Sequence, residues 1–136
     1  MLLAMGGSSA NTVPTVSGAS ASTFNIGTCP TVGSTPTQAA VVRVSWSIMN
    51  PDTSNYTTSV FKDGTAIATG LSNSSTTYDY TVSGYVDSTA AREGTPEINP
   101  SWVFRVDVIK TSDSTTASTT TAPTYTNTFG TCNGPH

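Results

Sequence analysis

Val42, Val44, Trp46 and Ile48 alternate with Arg43, Ser45 and Ser47. A period of two sustained over this length buries one face of a strand and wets the other, whereas a helical face repeats every 3.6 residues. The pattern returns twice. Tyr78, Tyr80 and Val82 alternate with Asp79, Thr81 and Ser83. Further on, Trp102, Phe104, Val106 and Val108 face one way, while Val103, Arg105, Asp107 and Ile109 face the other. The expected core is therefore Val42, Val44, Trp46, Tyr80, Val82, Trp102, Phe104 and Val106.

The connections read as turns. Asn50-Pro51-Asp52 ends the first patterned run with residues that fix or bond the backbone locally. Lys62-Asp63-Gly64-Thr65 joins two β-prone runs, and an Asp-Gly pair suits a type I′ hairpin because both central positions need positive φ. Asp87 to Pro100, with Arg92 and three carboxylates, reads as a long loop carrying one helical turn. Before residue 39 the apolar positions are isolated points among Gly, Ser, Thr, Pro and Ala. After residue 110 the chain is almost entirely Thr, Ser and Ala, with Tyr125 and Phe129 as later anchors.

Composition removes the competing classes. Leu occurs three times, too few for a heptad core. Five Lys and Arg residues, scattered along the chain, do not make a nucleic-acid surface. No apolar run approaches the roughly 18 residues of a bilayer span, so membrane insertion is not expected. Thr and Ser fill 46 of 136 positions and only 10% of residues are charged, a composition suited to a rigid surface structure.

The expected fold is all-β: a Greek-key sandwich over residues 39–128, with an extended N-terminal arm over 1–38 and a Thr/Ser-rich C-terminal tail ending in 129–136. The arm has room for one edge strand over Val13–Phe24, and Ala117–Tyr125 is a candidate final edge strand.

Three segments between residues 39 and 126 carry a resemblance. Val44-Ser45-Trp46 resembles the second-strand tryptophan pattern of fibronectin type III domains. Tyr80-Thr81-Val82-Ser83-Gly84-Tyr85 resembles the fifth-strand motif of that family, with Tyr85 where leucine is usual, and Trp102-Val103-Phe104-Arg105-Val106 resembles the sixth, with Trp102 in place of tyrosine. The resemblance implies an immunoglobulin or fibronectin type III-like module, similar to those on phage capsids and tails. It implies packing and no ligand.

Catalytic sets are not evident. The only histidine, His136, is the last residue, so neither a Ser-His-Asp nor a Cys-His arrangement has an oriented imidazole. Glu93 and Glu97 are the nearest carboxylates for acid–base work, and a solvated loop accounts for them. No Asp-x-Asp-x-Asp series exists, so neither a metal nor another cofactor is expected. Cys29 and Cys132 lie 103 positions apart, and two readings stay open: a disulfide between the ends of the chain, or two unrelated thiols.

Two surfaces remain as binding candidates. One is the loop with Asp87, Arg92, Glu93 and Glu97, beside the 50–55 connection. The other is the mixed face of Val103, Arg105, Asp107 and Ile109, read either as a partner surface or as a face covered by the rest of the fold.

The start at Met1, with neither a basic segment nor a long apolar one after it, gives the expectation of no signal peptide. The resulting expectation is a non-enzymatic structural protein of a virion, a capsid decoration or tail component. It would attach through its arms to another copy or to a major capsid or tail protein. The alternative is a glycan- or protein-binding module of a secreted or cell-surface protein, which also admits a host-surface glycan as partner.

Overall fold

The structure, a computed structural model, describes residues 13–28, 38–50, 55–82, 85–86, 96–98 and 100–130. Among them the chain is all strand and turn: β1 (Thr15–Thr28), β2 (Gln38–Met49), β3 (Tyr56–Lys62), β4 (Thr65–Leu71), β5 (Thr77–Val82), β6 (Tyr85–Val86), β7 (Pro96–Ile98), β8 (Ser101–Trp102), β9 (Phe104–Lys110), β10 (Thr116–Thr121), β11 (Tyr125–Thr126) and β12 (Phe129–Gly130).

Two larger antiparallel sheets dominate. One has the order β1-β2-β5 and the other β10-β9-β3-β4. Two short ladders, β11-β8 and β6-β12-β7, complete the pairing. Ala40, Val42 and Val44 of β2 and Val60, Phe104, Val106 and Val108 of the second sheet are fully buried in one cluster. Two sheets sharing one apolar core is consistent with a β-sandwich. Each such valine or phenylalanine contributes about 1.5–3 kcal/mol relative to exposure. Of the expected core, Trp46 and Val82 are also buried, while Tyr80 and Trp102 are half-buried and pack against the cluster.

The Asp-Gly hairpin forms as its chemistry requires. Lys62 pairs with Thr65, and Asp63 and Gly64 between them hold φ of 49° and 84°. Asp63 has a second task. Its N–H donates to the Val103 carbonyl and its Oδ1 accepts the Val103 N–H, both at 2.9 Å. The patterned run 102–109 is divided there: β9 begins at Phe104, and Trp102 pairs instead with Tyr125 in the β8–β11 ladder.

Residues 15–28, within the stretch read as an arm, form β1 and pair with β2 from Thr15↔Met49 to Thr28↔Gln38. Val16 and Ala19 enter the core. The strand is also clasped to the far end of the chain. The Val16 N–H donates to Ser118 Oγ, whose hydroxyl donates to the Pro14 carbonyl, each at 3.2 Å. Tyr125 Oη and Thr23 Oγ1 lie 2.6 Å apart, and Asn127 Nδ2 donates to both. Phe129, assigned from sequence to the tail, is fully buried in β12, paired with both β6 and β7. No helix occurs among the described residues, and part of the expected loop with a helical turn, Pro96–Ile98, is strand β7.

Candidate binding surfaces

The mixed face on β9 satisfies its own charges. Arg105 Nε donates to Asp107 Oδ1 at 3.0 Å and Nη2 to Oδ2 at 3.2 Å. The guanidinium also lies 4.1 Å from the centre of the Phe61 ring, its cross-strand neighbour. Asp107 is only 5% exposed, flanked in register by Ser59 on β3 and Thr119 on β10. The sequence placed Asp107 on an outward face, and it is outward from the core. Burial comes from its neighbours within the sheet. Val103 stays exposed and Ile109 half-buried at the two ends of the strand, so the four residues form a row with a closed centre.

Among the loop candidates, Asp87, Arg92 and Glu93 lie outside the described residues, and Glu97 falls in β7. Cys29 and Cys132 also lie outside the described residues.

The outer face of the β1-β2-β5 sheet escaped the sequence reading. Arg43 reaches Asp79 through two bonds, Nε–Oδ1 at 2.7 Å and Nη2–Oδ2 at 2.9 Å, and its guanidinium stacks 3.5 Å from the centre of the Phe24 ring. The Arg43 hydrogen bonds hold the Asp79 carboxyl below the usual carboxylate range, and the same pair raises the Arg43 guanidinium further. Around them Phe24 and Ile26 are each 57% exposed, and Met49, towards the other end of β2, 68%.

A local backbone event explains why these residues point outward. In a straight strand, Val16 would share a face with Phe24 and Ile26. Gly18 adopts φ of 64°, and the register slips between Ser17 and Ser20. The inward set then passes from Val16 to Ala19, and Phe24 emerges on the solvent side; a second register shift, between Thr23 and Asn25, changes the phase again and pairs the exposed Ile26 with Ala40. The glycine was the available signal.

The two ends of the larger sheets differ. At one end, Trp102 stacks near Tyr125 and Phe129, with centroids 6.2 and 5.7 Å away, and meets Tyr80 edge-on at 5.5 Å. Lys62 Nζ sits 4.9 Å above the Trp102 ring. At the other end a cavity of about 440 Å³ opens between Ile48, Asn50, Tyr56, Asn73, Ser74 and Thr76. Tyr56 Oη donates to the Asn73 carbonyl at 2.6 Å, and burial pushes its phenol pKa up.

Comparisons with protein-family models, with curated proteins and with solved structures find no match for this chain. Among the described residues the chain is an all-β protein of antiparallel sheets, with exposed apolar side chains on β1 and a cavity lined by amides, hydroxyls, Ile48 and Tyr56.

Proposed function

We propose that this chain is a non-enzymatic structural protein with an immunoglobulin or fibronectin type III-like Greek-key sandwich, serving as a virion surface component. The strand orders β1-β2-β5 and β10-β9-β3-β4 support that fold type, since immunoglobulin-like sandwiches divide their strands between two antiparallel sheets in this way. Attachment is to protein, either another copy or a major capsid or tail protein.

The observation that carries the reading is the exposed apolar area of β1, where Phe24, stacked on Arg43, and Ile26 are each 57% exposed. Exposed apolar area of this kind stabilises association when a partner covers it. Because β1 is paired along its length and gives Val16 and Ala19 to the core, attachment through residues 15–28 uses their outer face, with the strand in place.

Light scattering after size exclusion, at several concentrations, tests this on the full chain and on a Phe24→Ser, Ile26→Ser variant. A defined oligomer or a concentration-driven polymer, reduced to a 14.0 kDa monomer by the two substitutions, is the expected result. A monomer at every concentration turns the reading towards the second one, a secreted or cell-surface binding module. The cavity beside the 50–55 connection favours that second reading.

A further inference from the structure

We propose that the cavity between Ile48, Tyr56 and the turn at Asn73–Thr76 is a binding site for a neutral saccharide. This goes beyond the structural role argued above and does not depend on it.

Size and chemistry select the ligand class. The cavity holds about 440 Å³, within the range of roughly 300–1,000 Å³ usual for small-molecule sites. Its lining combines an apolar part, Ile48 and the Tyr56 ring, with the amides of Asn50 and Asn73 and the hydroxyls of Ser74 and Thr76. Among the described residues, carboxylates, ammonium and guanidinium groups are absent from that lining. A charged ligand therefore finds no opposite charge among the described lining residues, and a purely apolar one leaves the Asn73 amide and the Thr76 hydroxyl unmatched. A sugar matches both halves, with C–H faces for Ile48 and Tyr56 and hydroxyls for side chains that donate and accept.

The site is prearranged. The Ser75 N–H donates to the Ser72 carbonyl at 3.0 Å, and Ser72 Oγ lies 3.0 Å from Ser74 Oγ and 3.3 Å from Ser75 Oγ, which fixes the rim. The Tyr56–Asn73 bond ties that rim to β3, and the Trp46 N–H ties it to β2 through the Thr76 carbonyl at 3.0 Å. Little ordering cost remains for the ligand to meet.

The test is an amide-resolved NMR titration of the full chain with neutral hexoses, N-acetylhexosamines and their disaccharides, with a uronic acid as the charged control. Saturable shifts confined to Ile48, Asn50, Tyr56 and Asn73–Thr76 are expected for at least one neutral sugar, with the uronic acid weaker. Ser74→Trp, at an exposed turn position, fills the cavity mouth and should weaken binding at least about tenfold, equivalent to ~1.4 kcal/mol. Thr76→Val, which removes only a hydroxyl, should weaken it less. Absence of shifts for every neutral sugar, shifts centred elsewhere, equal binding of the uronic acid, or a Ser74→Trp protein that binds unchanged with an otherwise intact spectrum would overturn the proposal. None of these results alters the solution-mass test of assembly.

Discussion

The two ends of the larger sheets are built from the same kinds of strand and finished in opposite ways. At the Trp102 end, Tyr80, Trp102, Phe104, Tyr125 and Phe129 close on one another with centroid separations of 5.5 to 6.5 Å, and Lys62 lies across the top. At the Tyr56 end, one aromatic side chain spends its hydroxyl on a turn carbonyl and an open cavity takes the place of further packing. Aromatic pairs add stability beyond the area they bury, whereas amides and hydroxyls around a cavity supply little stability and much directional bonding capacity. One end is therefore where the fold is held, and the other is where the proposed saccharide would be received.

Removing the ring that closes one end, and only the hydroxyl bond that ties the other, should expose that contrast first. Phe129→Ala deletes a fully buried ring that meets both Trp102 and Tyr125, and urea unfolding should show a loss of about 3–5 kcal/mol. Tyr56→Phe removes only the bond to the Asn73 carbonyl and should cost about 1 kcal/mol. Equal losses would break the division between the ends.

A smaller effect of opposite sign sharpens it. Thr58 is fully buried with Oγ1 unpartnered, so Thr58→Val should raise stability by roughly 1 kcal/mol, read as a higher urea midpoint at unchanged slope. A destabilised Thr58→Val protein would mean that the hydroxyl is bonded in solution.

The smallest effect belongs to neither end. Asp79 has a carboxyl pKa lowered by Arg43, so the pair adds stability above the unfolded-state pKa near 4, and that contribution is lost as pH falls through the lower folded value. Asp79→Asn should flatten the acid limb of the stability curve below about pH 4 and leave the neutral plateau almost unchanged, since the pair is exposed. A matching loss at pH 7 would give the pair a structural weight that its exposure does not suggest.

The strands that could be read directly are those whose partners differ sharply in polarity. β2, β5 and β9 alternate Val, Trp, Tyr or Phe with Arg, Asp, Ser or Thr, and the β3–β4 hairpin is marked by Asp63-Gly64. β1 alternates Ala and Ser across a bulge, so contrast is low and the phase changes midway. The two-residue strands β6, β8, β11 and β12 have no period to detect. Pairing between distant segments creates them, as when Phe129 meets Val86 and Ile98. The cavity is assembled from the end of β2, the start of β3 and the β4–β5 turn, so no local motif marks it. Arg105 and Asp107 were visible as a charged pair on one face. Their mutual closure depends on Phe61, Ser59 and Thr119, which the register alone brings beside them.

The clasp between β1 and the C-terminal segment sets a schedule for synthesis. Val16 and Ser118, like Thr23 and Tyr125, are 102 positions apart, and Phe129 joins the core later still in the sequence. Closing contacts over such separations costs loop entropy before the core repays it. Synthesis must therefore pass Phe129 before the structure can lock, and until then β1 and the unfinished core stay open to other chains. On the surface-assembly reading proposed above, that interval is when association and folding compete.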